Sequence, residues 1–220
     1  MSHIGAVILA AGRSRRFGAA NKLLSDFDGE PLWWRALTAV QASTARPVVV
    51  VLGHEHARLR ASLRAFRRMH APAFHCRTLR NPHYRDGMAG SLRAGLSALR
   101  GRCDGAVIVL ADMPQLRSTT IDALIAAYGS DVSAVVPRSG GRRGNPVLLG
   151  HVLFDAVAQL RGDEGARRLL ANHAGVRLLD VADAGFDDID TRRDWRRAAG
   201  WSSQHARRHR PAPPFNMQTG

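Results

Sequence analysis

The amino-acid sequence predicts a single α/β domain whose mostly parallel β-sheet carries helices on both faces. Short runs of β-branched and aliphatic residues alternate along the chain with longer segments of helical periodicity. The chain has 220 residues, of which 45% are hydrophobic, so one packed core is within its reach. This alternation favours parallel strands joined by helical crossovers.

Strongly apolar runs of strand length occur at four places and weaker ones at three. The strong runs are Ile4–Ala10, Pro47–Leu52, Gly105–Leu110 and Ser133–Pro137, and the weaker ones are Phe74–Leu79, Pro146–Leu149 and Val176–Asp180. In open α/β sheets ligands bind at the carboxyl ends of the strands. The segments that follow these runs are therefore the first places to search for function.

Helical periodicity predicts five helices between and after the strands. They are Leu32–Gln41, His54–Arg68, Met88–Leu99, Thr119–Tyr128 and Arg192–Ala199. Pro31 is expected in the first turn of the first helix, and Ser118 and Thr191 are expected as N-caps. Residues 201–220 have no apolar period and are rich in Pro, Arg and His. We expect a domain over residues 1–200 and a disordered basic tail over 201–220.

Composition excludes several function classes. The formal net charge of +14 invites a nucleic-acid hypothesis, but the arginines are scattered and no RNA-recognition or zinc-finger signature accompanies them. No apolar stretch approaches the roughly 20 residues of a membrane helix, and the N-terminus lacks a leader pattern. Cys76 and Cys103 have no metal-binding spacing, which favours buried inert thiols. We expect a cytoplasmic protein without a membrane or nucleic-acid partner.

The segment after the first strand has the composition of a phosphate-binding loop. It reads AVILAAGRSRRFGAANKLL and contains Gly12, Gly18, three arginines and Lys22, the single lysine of the chain. Small residues let a ligand approach the backbone, whose N–H groups can cradle phosphate oxygens while cations neutralise them. The spacing is neither a Walker loop nor a dinucleotide fingerprint. The alternative is an ordinary strand-to-helix connection with solvated arginines.

Asp112 follows a strongly apolar strand in the segment VIVLADMPQL. A carboxylate at this position faces the ligand edge of a parallel sheet, and carboxylate oxygens are preferred ligands of Mg²⁺ beside substrate phosphates. The alternative is a turn-forming or capping aspartate. Together with the upstream loop, Asp112 favours metal-dependent transfer at a nucleoside triphosphate.

Several motifs in consistent order resemble the molybdenum cofactor cytidylyltransferases and the wider molybdopterin nucleotidyltransferase-like group. These motifs are LAAGRSRRFG with KLL downstream, NPHYRDGMAGSL, VLADMP, RRGNPVLLG, LRGDEGARRLL and DIDT. They cover about residues 4 to 198 and are specific as a set, although each one alone is weak. The resemblance implies a Rossmann-like nucleotidyltransferase domain that uses Mg²⁺.

Site residues follow from the resemblance position by position. It implies nucleotide binding by Leu9, Ala10, Ala11, Gly12, Arg13, Lys22, Gly87, Met88 and Ser91. Arg13 and Lys22 would hold phosphates and act with Asp112 in catalysis, and Gly87 to Ser91 would lie by the base and ribose. The N-terminal turn of a helix is an equally suitable description of Gly87 to Ser91.

Three further positions carry an alternative explanation. Asp190 resembles a second metal-binding position, but it is also an acidic residue ahead of a helix cap. Asn145, before Pro146, resembles a residue on the acceptor side, or it marks a strand entry with a rigid turn. Asp163 also resembles an acceptor-side residue, although a loop between two helices explains it as well.

The resemblance implies transfer of CMP from CTP to the phosphate of molybdopterin-bound molybdenum, with release of pyrophosphate. The loop begins Leu-Ala-Ala-Gly, whereas the guanylyl branch of the family typically shows Leu-Ala-Gly-Gly. One alternative is an enzyme that uses GTP or another phosphate acceptor. The other is a binding protein that delivers finished cofactor to a molybdenum hydroxylase apoenzyme. Trp33–Trp34 replaces aliphatic residues of the family. The pair either packs in the core or is an exposed protein contact, and the second interpretation would suit a delivery protein.

Overall fold

The structure is a computed structural model that describes residues 2–14, 17, 20–171, 173–181 and 194–195. The strands are β1 (Ile4–Ala10), β2 (Asp26–Phe27), β3 (Glu30–Pro31), β4 (Val48–Leu52), β5 (Arg77–Arg80), β6 (Gly105–Leu110), β7 (Ala134–Ser139), β8 (Arg142–Arg143), β9 (Val147–Gly150) and β10 (Val176–Asp180). The α-helices are α1 (Trp34–Ala42), α2 (His56–Met69), α3 (Met88–Ser97), α4 (Ser118–Ala126), α5 (Phe154–Ala158) and α6 (Ala166–Leu170).

Eight of these strands form one mixed sheet in the order β10-β7-β9-β6-β1-β4-β5, and β8 pairs with β7 at the side. Strands β6, β1, β4 and β5 run parallel to one another, and β7 and β10 run parallel to each other. Strand β9 runs antiparallel to both β6 and β7. The predicted fold class is confirmed, and the direction of β9 puts its first residue at the edge where β6 ends.

Helices cover both faces of the sheet, which explains why its central strands are apolar without alternation. On one face, α1, α2 and α4 pack against Ile8, Val50 and Val109. On the other face, α3, α5 and α6 pack against Val7 and Val51. Successive residues of one strand therefore enter two different cores.

Two predicted helix starts are wrong. Pro31 lies in β3, which pairs with β2 as a small hairpin, and α1 begins only at Trp34. The residues between the two strands, Asp28 and Gly29, both have positive φ, as a two-residue hairpin turn requires. Ser118 is the first residue of α4 rather than its N-cap, which is Arg117 and makes no side-chain capping bond.

The tryptophan pair belongs to the core. Trp33 is fully buried and Trp34 is 5% exposed, and both indole N–H groups donate to the hydroxyl of Ser62, at 3.0 and 2.9 Å. Core packing is thus confirmed, and the alternative of an exposed protein contact is wrong. The strand expected at Phe74–Leu79 begins only at Arg77, because Phe74 is buried in a turn that its N–H closes on the carbonyl of Ala71.

Both cysteines are free and half-buried, and burial raises the pKa of each thiol. Among the residues that the structure describes, no group of metal-ligating side chains forms a ready-made metal cluster, and no helix is long and apolar enough to cross a bilayer. Asp190, the Thr191 cap and the tail at 201–220 lie outside the described residues. Of the helix predicted at 192–199, only Asp194 and Trp195 are described, and both are helical.

Candidate active site

A cavity of about 390 Å³ opens at the carboxyl ends of β1 and β6 and collects most of the predicted site residues. The predicted residues on its wall are Leu9, Ala11, Gly12, Arg13, Lys22, Gly87, Met88, Ser91, Asp112 and Asp163. The wall also includes Ser14, Leu23, Tyr84, Arg85 and Leu110. Predicted residues as far apart in the chain as Leu9 and Asp163 are therefore brought together on one surface, at the edge that parallel-sheet topology favours.

The centre of the cavity is an ion pair between Lys22 and Asp112. The Lys22 Nζ lies 2.5 Å from Asp112 Oδ2, and the two side chains are only 9% and 17% exposed. Lys22 begins a short 3₁₀ turn, which Asn21 caps by accepting the N–H of Leu23 at 3.1 Å. Asp112 follows β6, whose pairing with β1 is extended by a bond from the Ala111 N–H to the Leu9 carbonyl. Their attraction offsets part of the cost of removing the two charges from water.

The glycine-arginine loop contributes backbone as well as charge. A Cβ atom built on Gly12 would have no heavy atom within 4 Å, so that this part of the backbone is open to a ligand. Ser14 adopts a left-handed conformation, and its carbonyl accepts the N–H of Phe17 at 2.9 Å, which closes a turn. Ala10 does not line the cavity, because its side chain is buried in the core. Arg15, Arg16 and Gly18 lie outside the described residues.

The start of α3 forms the opposite wall. Gly87 has a φ of 110°, and a Cβ atom there would lie 2.1 Å from the backbone carbon and oxygen of Gly162. The Ala89 N–H donates to the same Gly162 carbonyl at 3.0 Å. The loop between α5 and α6 is thereby held against α3, and this contact places Asp163 at the cavity. Glycine is needed at position 87 for both its backbone conformation and this close approach.

Two buried polar residues, Asn81 and Ser91, are hydrogen-bonded to each other at that wall. Ser91 is 3% exposed, and its hydroxyl accepts a bond of 2.9 Å from the Asn81 side-chain amide. The other end of that amide accepts the N–H of His83 at 3.0 Å. Asn81 was not predicted from the sequence, although it opens the NPHYRDG segment that carries Gly87. It fixes the orientation of Ser91 toward the cavity.

Tyr84 and Arg85 are cavity residues that sequence reasoning missed. Tyr84 packs closely over Gly53, where a Cβ atom would lie 2.6 Å from the Tyr84 Cβ. The Arg85 guanidinium lies 5.8 Å from the centre of the Tyr84 ring. Their place in the NPHYRDG segment was the available signal. Asn145 precedes β9 at the same edge of the sheet, half-buried, but it does not line the cavity.

A comparison with protein families matches residues 6–177 to the MobA-like NTP transferase domain. The chain belongs to this family. It is 36% identical over 198 residues to the purine catabolism protein PucB of Bacillus subtilis, covering 84% of this chain and 90% of the relative. It is 31% identical over 200 residues to nicotine blue oxidoreductase of Paenarthrobacter nicotinovorans, covering 84% and 91%.

A solved structure agrees with this assignment. The Rv0371c protein of Mycobacterium tuberculosis, crystallised in complex with manganese, superimposes with a TM-score of 0.73 at 26% identity, covering 90% of this chain and 99% of that one. The family resemblance inferred from the motifs is thus confirmed, and the MobA-like domain assigns the chain to the NTP transferases. The identities of the nucleotide, the metal and the acceptor have to be inferred from the side chains that line the cavity.

Proposed function

We propose that this MobA-like protein is a metal-dependent nucleotidyltransferase that transfers CMP from CTP to the phosphate of molybdopterin-bound molybdenum and releases pyrophosphate. The observation that carries the proposal is the Lys22–Asp112 ion pair beside the open backbone of Gly12. A triphosphate needs cations and N–H donors, and its metal needs a carboxylate. The cavity wall provides the cations of Arg13 and Lys22, the backbone of Gly12 and the carboxylate of Asp112.

The positions of the lining residues support one orientation of the nucleotide. Gly12, Arg13 and Lys22 lie along the loop and would hold the triphosphate through N–H groups and positive charge. Gly87, Met88 and Ser91 would then lie by the ribose and base, at the start of α3. Asp163 reaches the cavity from the α5–α6 loop and would face the acceptor, as would Asn145 at the start of β9.

The residues present fit a divalent cation such as Mg²⁺. Asp112 offers a carboxylate at the end of β6, and magnesium commonly takes one or two protein carboxylates together with substrate phosphates. Asp112 would hold the ion, with Asp190 as a proposed second ligand. Bound there, the cation would neutralise charge that develops on the phosphates. The similar protein Rv0371c was crystallised in complex with manganese, which supports the use of a divalent ion.

The mechanism is one of positioning and charge. Lys22 and Asp112 form an ion pair, and nucleotide binding would let the Lys22 ammonium turn to phosphate oxygens instead. Arg13 and Lys22 stabilise the departing pyrophosphate. The acceptor is a phosphate monoester that is already largely ionised near neutral pH, so no protein side chain has to remove a proton from it.

The nucleotide and the acceptor are tested together. Pyrophosphate release is measured with each of the four NTPs, Mg²⁺ and molybdenum cofactor, and with a sugar phosphate in place of the cofactor. We expect CTP and molybdenum cofactor to give the highest kcat/KM, because the loop reads Leu9-Ala10-Ala11-Gly12. A preference for GTP, or the absence of any preference among the four NTPs, would overturn the assignment of CTP. Turnover with the sugar phosphate but not with molybdenum cofactor would overturn the proposed acceptor. A molybdenum hydroxylase apoenzyme is the protein we expect to receive the product.

A redox activity is the second candidate, because one relative is named nicotine blue oxidoreductase. The same preparation is therefore assayed for hydride transfer from reduced nicotinamide cofactors to a dye. Pyrophosphate release without dye reduction supports the transferase. Dye reduction without pyrophosphate release would contradict it and favour the second candidate.

A further inference from the structure

A small aromatic cluster lies beside the glycine-arginine loop between Gly12 and Lys22, here called the phosphate loop. The cluster is separate from the two cores that pack on the sheet. It consists of Phe17, Phe27 and Leu32, with Trp195 packed against them. The Trp195 ring centre lies 5.1 Å from that of Phe17 and 5.2 Å from that of Phe27, the latter in an edge-to-face arrangement. Phe17 is 7% exposed and Phe27 is 2% exposed. We call these four residues the aromatic clamp.

Phe17 of the aromatic clamp lies within the phosphate loop, and Phe27 lies in the hairpin that follows it. Phe17 is joined by its N–H to the carbonyl of Ser14, which lines the cavity beside Arg13. The two residues after the β2–β3 hairpin are bonded to the Lys22 turn, because the N–H of Leu32 donates to the Ser25 carbonyl at 3.0 Å and that of Trp33 to the Leu23 carbonyl at 3.3 Å.

One side of the aromatic clamp is fixed independently of Trp195. The Arg35 guanidinium of α1 lies 6.0 Å from the centre of the Phe27 ring and pairs with Asp28 of the hairpin turn at 3.4 Å. The hairpin is thus attached to the first helix. Phe17 lies in a segment rich in glycine and alanine, whose backbone has much conformational freedom to lose. Trp195 packs against both rings and so connects the loop segment at Phe17 to the hairpin that carries Phe27.

We propose that Trp195 is a positioning residue for nucleotide binding, which holds Phe17 and, through it, the Ser14 turn of the phosphate loop in its binding conformation. The inference rests on the proposed function, since it assigns that loop to the triphosphate. A loop that is ordered before binding loses less conformational entropy when the ligand arrives. The affinity of the site for nucleotide therefore depends on a side chain from the far end of the chain, about 170 residues beyond the loop.

The test compares Trp195→Ala with the conservative Trp195→Phe, which keeps an aromatic ring between Phe17 and Phe27. We expect Trp195→Ala to raise KM for the NTP roughly tenfold with kcat within about twofold, the pattern of lost ground-state binding. Trp195→Phe should restore most of the affinity. Phe74→Leu is the matched control, because Phe74 is 2% exposed and stacks edge-to-face on Phe66 in the main core. It should lower Tm and leave KM unchanged.

Limited trypsin digestion gives a readout that needs no turnover. Arg13 precedes the turn at Ser14 that the Phe17 N–H closes, and we expect cleavage after Arg13 to be faster in Trp195→Ala than in the wild type or in Phe74→Leu. If Trp195→Ala does not fold, Phe17→Leu weakens the same contact from the other side and should show the same two effects. An unchanged KM and unchanged loop cleavage would overturn the inference. Absence of pyrophosphate release from the wild type with normal loop protection would overturn the proposed function and leave the clamp standing.

Discussion

Two cavities of similar size lie at opposite edges of the sheet, and only one has the properties of an active site. The carboxyl-edge cavity has a volume of about 390 Å³, and the amino-edge cavity has about 440 Å³. The amino-edge cavity is lined by His3, Arg100–Asp104, His151 and Phe154. Because the two volumes are similar, volume alone does not identify the site.

The difference lies in what the polar groups contact. At the amino edge, Asp104 Oδ2 accepts the N–H of His3 at 2.8 Å, and Arg100 pairs with Asp155 at 2.8 Å. The imidazoles of His3 and His151 face the backbone carbonyls of Arg102 and Asp104. These bonds join chain segments to each other. At the carboxyl edge, Lys22 and Asp112 face each other at the end of parallel strands, where a phosphate and its metal can replace the mutual contact.

The largest effect is expected from removing the charge of Asp112. Asp112→Asn should reduce pyrophosphate release by about 10² to 10³, because charge at a phosphoryl-transfer site is worth several kcal/mol. Lys22→Ala should likewise remove most turnover. Asp104→Asn is the control at the amino edge and should retain wild-type kcat/KM. A protein that only delivers cofactor would keep delivering it in the Asp112→Asn variant, and unchanged turnover in that variant would contradict the site.

A smaller effect separates two glycines with positive φ. Gly87 (φ 110°) approaches the Gly162 backbone, whereas Gly101 (φ 70°), at the amino edge, has no heavy atom within 4 Å of an added Cβ. Gly87→Ala should lower kcat/KM by about tenfold to a hundredfold, because it displaces the wall that carries Asp163. Gly101→Ala should cost about 1 kcal/mol of stability and leave kcat/KM unchanged. Steady-state kinetics and thermal unfolding of both variants measure this, and equal losses of activity would show that the close approach is irrelevant.

The smallest effect is expected at Cys103, which lines the amino-edge cavity. Burial raises the pKa of its thiol, so the reactive thiolate is scarcer than in a free cysteine at pH 8 and increases at higher pH. In a Cys76→Ser background, we expect slow alkylation by iodoacetamide that NTP with Mg²⁺ changes by less than about twofold. Strong protection of Cys103 by nucleotide would show that the nucleotide binds in the amino-edge cavity, and would contradict the assignment of the active site to the carboxyl edge.

Sequence patterns predicted the parts of the site that depend on local chemistry. The apolar run before Gly12 and the carboxylate of Asp112 after β6 both point to the carboxyl edge, because strand, loop and small residues are adjacent in the chain. Tyr84 was missed because nothing in its neighbours shows that it packs over Gly53. The Pro31 prediction failed because a two-residue turn at Asp28–Gly29 outweighed the helix-start preference of proline.

By itself the sequence determined the α/β class, the order of the seven longer strands and of helices α1 to α4 along the chain, and the residue types available for phosphate and metal. These properties follow from periodicity, glycine content and charge, which act over a few residues. Only the tertiary structure decided that β9 is antiparallel, that Lys22 contacts Asp112 across 90 residues, and that Trp195 packs on Phe17. Such contacts join segments far apart in the chain, and their free energy depends on burial and shape in the assembled fold rather than on neighbours in sequence.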